Sequence, residues 1–151
     1  VNAKEVLDGK EVGEKIVIIG GGSVGIETAE LLASMGKKVT IIEMMDKLAD
    51  KMVNVTRTIV LGHLREYGVD FKTSCLCQEI KNDSVVCKEK DGTIVEIPAN
   101  DVIIAIGDRP ETSLYEELKG RISEVYNVGD SASGGTIAKG VNQAYNCALN
   151  L

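Results

Sequence analysis

The sequence predicts an α/β fold of three layers: a parallel sheet of strand order 3-2-1-4-5, with an antiparallel three-stranded meander replacing one crossover helix. Three observations carry this reading. Short β-branched apolar runs, such as Lys15–Ile19 and residues 102–106, suit strands buried on both faces of a parallel sheet. Helix-spaced segments alternate with those runs, which makes the sheet parallel and its crossovers right-handed. Over residues 74–97 the alternation lapses, and the turn dipeptides Asn82-Asp83 and Asp91-Gly92 separate three short strands.

The elements follow in chain order. Residues 1–14, with the charged, helix-like KEVLDGKEVGEK, read as a linker and as the start of a piece of a longer protein. The run KIVII then ends in three glycines. In SVGIETAELLASMGK, Gly25, Ala29, Leu32 and Ala33 fall on one helix face, and Gly36 stops the helix. Residues 38–43 form a second strand ending in a carboxylate, 54–67 a helix stopped by Gly68, and 69–71 a short third strand. The meander strands are 75–81, 84–89 and 93–97. Residues 102–106 give another buried strand ended by Gly107, and Pro110 delays a short helix near Ser113–Leu118. Residues 124–128 are expected to pair beside 102–106 as the fifth strand, bringing Gly129-Asp130 to this sheet's crevice. A last helix, from Thr136 to about Leu149, is expected to pack through Ile137, Val141, Ala144, Ala148 and Leu149.

Composition narrows the function. The formal net charge of -6, with no Lys/Arg run, argues against a nucleic-acid surface, and 3% aromatics leave few stacking platforms. The longest apolar runs are of strand length, so no membrane span is expected. Cys75, Cys77, Cys87 and Cys147 follow no metal-ligand or redox spacing; they read as reduced packing residues of a cytoplasmic protein, with other roles open only for Cys75 and Cys77.

The chemistry centres on Gly20-Gly21-Gly22-Ser23-Val24-Gly25, a G-x-G-x-x-G placed directly after a buried strand and opening a helix. Gly20 permits the tight turn, Gly22 admits a pyrophosphate against the backbone, and Gly25 lets the helix close on the strand. The helix start offers unpaired N–H groups and about half a positive charge. Glu43, roughly 20 residues further on, ends the adjacent strand where a carboxylate accepts from both ribose hydroxyls of an adenosine. A 2′-phosphate there meets like charge, gross about 4 kcal/mol per pair near 4 Å at an effective dielectric of 20. Met44 and Met45 follow without an arginine, although Lys47 can reach back, so NADH is favoured over NADPH. Residues 1–151 are therefore read as one Rossmann-like dinucleotide-binding domain, with a core at 15–120 and a tail at 121–151.

Rival classes lack their own marks. A P-loop hydrolase needs Lys-Ser/Thr after the closing glycine, and here Ile26-Glu27 follows. A methyltransferase carries an acid before the turn, and here Ile18-Ile19 precede it. A binding module without catalysis stays open. Glu27, placed in the first helical turn, either pairs with the helix N-terminus or meets the nicotinamide end. Arg109 either contacts a phosphate or solvates its loop, and His63 is read as a surface residue. No catalytic residue and no metal ligand is nominated, because cofactors carry hydride chemistry themselves.

Taken in order, GKEVGEKIVIIGGGSVGIETAELLASMGKKVTIIE, the meander, VIIAIGDRP and VYNVGD resemble the pyridine-nucleotide module of two-dinucleotide-binding flavoprotein reductases. The stretch EMMDKLADKMVNVTRTIVLGHLREYGVDF and the ending from RPETSLYEELKG to VNQAY look most like the carboxyl-terminal part of 2-enoate and 2,4-dienoyl-CoA reductases. NADH oxidases and ferredoxin reductases carry a similar module. The resemblance implies NADH on Gly20, Gly22 and Gly25, Glu43 on its ribose, and Glu27 and Gly107 near the nicotinamide. It implies that Asp130 was shaped to bind the FAD ribityl chain. In such enzymes hydride passes to FAD, and electrons then pass through a 4Fe–4S cluster and FMN to an activated carbon–carbon double bond. No FAD fingerprint, cluster cysteines, FMN barrel or C-x4-C is present here. The expected partners are thus NADH and the FAD and FMN domains of a parent protein, with the fragment alone inactive.

Overall fold

The computed structural model describes residues 1–151. The chain divides into two compact units, Val1–Gly107 and Asp108–Leu151. In the first, Asn2 and Glu5 cap each other's backbone at the start of a short helix, α1 (Ala3–Leu7). There follow β1 (Lys15–Ile19), α2 (Ser23–Ser34), β2 (Lys38–Ile42), α3 (Asn54–Glu66) and β3 (Asp70–Lys72). The meander is β4 (Leu76–Ile80), β5 (Ser84–Lys88) and β6 (Ile94–Pro98), and β7 (Asp101–Ile104) returns to the main sheet.

That sheet has the order β3-β2-β1-β7 with every neighbour parallel, and the meander forms a separate antiparallel sheet, β4-β5-β6. Alternate residues of β1 supply two cores. Ile16 and Ile18 join Ile26, Ala29 and Leu32 of α2 and Leu64 of α3, whereas Val17 joins Cys75, Val85, Cys87 and Ile97. The meander thus covers the sheet face opposite these helices, which is why the run KIVII is apolar at successive positions. Each such side chain taken fully out of water is worth about 1.5–3 kcal/mol. Leu64, Ile18 and Ile103 are completely enclosed, so helix, central strand and last strand share one core.

The sheet stops at four strands, and the fifth expected at 124–128 is not formed. The outer edge of β7 already has partners. Ile104 N–H donates to the Val1 carbonyl (2.9 Å), the Val1 nitrogen donates to Val102 O (3.1 Å), and Asn2 bridges Ile104 in parallel. A row of donors and acceptors satisfied in this way leaves no ladder for another strand.

The second unit holds α4 (Ser113–Leu118), α5 (Asp130–Ser133) and α6 (Ile137–Ala148). The packing expected of its last helix is also corrected. Ile137, Val141, Ala144, Ala148 and Leu149 are exposed, Ile137 at 90%, and no residue of α6 is buried. Within this unit α6 is tied to its neighbours by polar bonds instead. Gly129 N–H donates to Gln143 Oε1 (2.8 Å), Gln143 Nε2 to Ser133 Oγ (2.9 Å), and Lys139 Nζ to the Ser133 and Gly134 carbonyls. Two short helices offer too little apolar surface to cover a twelve-residue amphipathic one.

All four cysteines are free, and Cys77 faces Cys87 across the β4–β5 ladder. Burial, with a hydrogen bond to Cys75, pushes the Cys87 thiol from 9.0 up to about 12. A thiol held neutral in this way packs and does not react. Because the unfolded chain loses this proton first, the associated stability is intact below about pH 9 and is lost as pH rises towards about 12. Urea midpoints measured from pH 8 to pH 11 should therefore fall across that window. Cys87→Val should flatten the fall, and equal slopes in the two proteins would contradict this account.

Candidate dinucleotide-binding site

The glycine turn lies at the carboxyl ends of β1 and β2, where open α/β sheets bind their ligands. Gly20 has φ +110, and a Cβ there would strike the Ala105 backbone, so β7 can follow β1 closely only past a glycine. A Cβ on Gly25 would collide with the Gly20 carbonyl, which fixes how near α2 begins to the strand. At Gly22 the reverse holds: no atom lies within 4 Å of a built Cβ, and the space in front of the backbone is open. Gly22 is also the N-cap of α2 and supplies no side-chain bond, leaving the first N–H groups of the helix free of any capping group. Ser23 and Val24 are exposed beside them.

Glu43 is the acidic half of the site, and its placement is strict. One carboxylate oxygen, Oε2, accepts the Gly21 N–H at 2.7 Å, and Oε1 accepts the Met45 N–H at 2.8 Å. The main chain of Glu43 is equally constrained, donating to Lys72 O and accepting from Cys75 N–H, both at 2.9 Å. An ionised carboxylate has about four acceptor positions, so two remain after these bonds. Those two are the number that a pair of ribose hydroxyls requires. The half-buried carboxylate therefore binds the glycine turn while keeping capacity for a polar ligand.

The other residues singled out in the sequence lie as follows. Gly107 closes the first unit with φ +88, exposed, two residues beyond the Ala105 backbone that passes Gly20. Met44, 66% exposed, and the exposed Lys47 follow Glu43 on the surface. Glu27 is corrected in position: α2 starts at Ser23, so this exposed carboxylate lies past the first turn, which holds no acid. Pairing with the helix N-terminus, which fades within one turn, is not its role. His63 is exposed, and its Nδ1 lies 2.7 Å from the Glu30 carboxylate, which accepts the hydrogen bond. Asp130 and Arg109 belong to the second unit. There Asp130 begins α5, exposed, and accepts the Gly135 N–H at 3.2 Å. The strand that was to carry Asp130 to this sheet is absent, and that expectation goes with it.

Sequence reasoning missed the segment between β2 and α3. Ala49 N–H donates to the Gly21 carbonyl at 2.7 Å, and the Leu48 side chain occupies the place where a Cβ of Gly21 would go. Ala49 has φ +49, a left-handed conformation for which alanine gives no sequence signal.

Two glycines separate architecture from binding. Gly25→Ala should cost about 1–3 kcal/mol by overpacking, seen as a lower urea midpoint. Gly22→Ala, facing open space at φ -74, should leave the midpoint almost unchanged and weaken diphosphate ligands alone. A common loss of stability in both variants would refute the distinction.

Comparison with known proteins identifies the family. The family model described as pyridine nucleotide-disulphide oxidoreductase matches residues 1–131. The chain is 34% identical over 99% of its length to a protein named NADH oxidase from Thermoanaerobacter brockii, of which it covers 24%. It is 32% identical, again over 99% of its length, to cinnamate reductase from Clostridium sporogenes, covering 23%. Among solved structures, a 2-naphthoyl-CoA reductase superposes with a TM-score of 0.86 at 25% identity, over 100% of this chain and 23% of that one. The chain thus spans about a quarter of these relatives' length. With this match over residues 1–131, the chain belongs to the pyridine nucleotide-disulphide oxidoreductase family of flavoprotein oxidoreductases.

Proposed function

We propose that this chain is the NADH-binding module of a larger flavin-dependent reductase. In this reading the module holds NADH so that its hydride reaches an FAD carried by other parts of the parent protein. The observation that carries the proposal is the Glu43 carboxylate, fixed by the Gly21 and Met45 N–H groups with two acceptor positions to spare. Gly20, Gly21, Gly22, Ser23, Val24 and Gly25 would hold the diphosphate at the open, uncapped start of α2. Glu43 would hold the adenosine ribose beside Met44, and its charge disfavours a 2′-phosphate. Bound NADH supplies two electrons as hydride, and this chain's residues need only bind, orient and exclude the wrong nucleotide.

Glu27 and Gly107 are assigned to the nicotinamide half, and Asp130 to the FAD of the parent protein. The electron acceptor is read as an activated carbon–carbon double bond, reached through FMN and a 4Fe–4S cluster in other domains. Support for this comes from likeness to proteins named cinnamate reductase and 2-naphthoyl-CoA reductase. The match to a protein named NADH oxidase favours a second reading, in which the same module serves a different acceptor. The exposed apolar residues of α6, and the share of the relatives that this chain spans, both fit a domain that works with further protein around it. Free thiols fit a cytoplasmic setting, and no helix is long and apolar enough to cross a membrane.

Calorimetric titration with NADH, NADPH and FAD tests the reading. NADH should bind more tightly than NADPH, and FAD weakly or not at all. Glu43→Gln should narrow the NADH:NADPH ratio by about tenfold, a fraction of the gross repulsion between charges at 4 Å; an unchanged ratio would remove Glu43 from the ribose. The isolated chain with added flavin should reduce an artificial dye no faster than free flavin does. Faster turnover would show a catalytic centre within these residues.

A further inference from the structure

We infer that Arg57, on the first turns of α3, is a positioning residue for the adenosine half of the nucleotide site. The inference rests on the reading of the glycine turn as a dinucleotide site. Arg57 Nε donates to the Leu48 carbonyl at 2.7 Å, and this bond is half-buried. Leu48 and Ala49 are themselves buried, at 5% and 3% exposure, although they lie in an irregular segment between β2 and α3. The peptide that Arg57 holds joins Leu48 to Ala49. The N–H of that same peptide donates to the Gly21 carbonyl at 2.7 Å. Gly21 in turn gives its own N–H to Glu43 Oε2 at 2.7 Å.

Both backbone polar groups of Gly21 are therefore used, one on the acid and one on the peptide gripped by Arg57. Three features show that the grip is specific. Leu48 fills the only space beside Gly21 where a side chain could go, so the turn and the segment fit each other as a pair. Ala49 takes a left-handed φ of +49, a conformation that persists in a non-glycine residue only where the surroundings impose it. Met52 N–H closes the segment onto the Ala49 carbonyl at 2.9 Å. A single guanidinium bond thus reaches, through one peptide unit and one glycine, the carboxylate read as the ribose ligand. Arg57 acts through Leu48–Ala49 and Gly21, which defines a positioning residue.

Two substitutions isolate that bond. Glutamine carries an N–H donor as many bonds from the backbone as Arg Nε, without the charge; methionine fills the same length with no donor. Arg57→Met should weaken NADH and ADP-ribose alike by about tenfold, the worth of one net hydrogen bond at the upper end of its range. Arg57→Gln should stay within about twofold of the unaltered chain. Amide hydrogen exchange gives a second readout independent of ligand: the Ala49 N–H should exchange faster in Arg57→Met, but not in Arg57→Gln, with β1 and the middle of α3 unaffected. Equal losses in both variants would overturn the inference in favour of a charge effect. So would an Arg57→Met protein with unaltered affinity and exchange. Should the unaltered chain bind neither NADH nor ADP-ribose, the nucleotide reading fails by itself, and the exchange comparison still decides whether Arg57 holds the turn.

Discussion

Gly21 has no side chain, and its two backbone groups point to opposite partners: its N–H to the Glu43 carboxylate, its carbonyl to the Ala49 N–H. The arrangement around the sheet's carboxyl edge depends on this residue being stitched on both sides. The bond to Glu43 joins the turn after β1 to the end of β2, tying together the two elements proposed to hold the nucleotide. The bond to Ala49 brings the β2–α3 segment down over the turn, where Leu48 closes the gap. Each link uses a backbone group of the buried Gly21, one on a side-chain carboxylate and one on a main-chain N–H, and losing either leaves that group unpaired. The site is thus rigid before any ligand arrives, which lowers the ordering cost of binding.

Much of this was legible because strong local rules coincided. The run KIVII, the glycines after it and the carboxylate closing the next apolar run each have one common structural meaning, and all three agree. The meander was legible from Asn82-Asp83 and Asp91-Gly92, since those dipeptides demand tight reversals. What escaped was set by distant parts of the chain. Nothing in residues 124–128 announces that the neighbouring edge is already paired by Val1 and Asn2. Nothing in α6 announces that its apolar face meets no partner within its own unit. Glu27 was misplaced by a single turn, because the N-cap at Gly22 cannot be located from a run of three glycines. Ala49 and Arg57 were invisible for the same reason: their role lies in a contact across the fold, and alanine in a left-handed conformation leaves no trace in sequence.

The meander explains how a nucleotide fold dispenses with a crossover helix. A parallel sheet must be covered on both faces, and the helix face is supplied by α2 and α3. On the other face, Cys75, Val85, Cys87 and Ile97 present small apolar surfaces to Val17 and Ile42. Cysteine side chains suit that layer, being compact and poorly hydrated. The meander also leads the chain back to β7 through Asn100, whose side chain accepts the Lys15 N–H at 2.9 Å as its own N–H donates to Lys15 O at 2.7 Å. The substitute layer thereby sets the register of the strand whose backbone packs on Gly20.

The way the main sheet ends bears on how such a domain behaves in crowded solution. One margin, β3, is only three residues long and carries Asp70 and Lys72. The opposite margin is occupied by the leading residues Val1 and Asn2, which consume the outward groups of Val102 and Ile104. Neither margin offers a foreign polypeptide a long, flat template on which to grow. Without the contacts of Val1 and Asn2, the four residues of β7 would stand as an unpaired edge open to another chain.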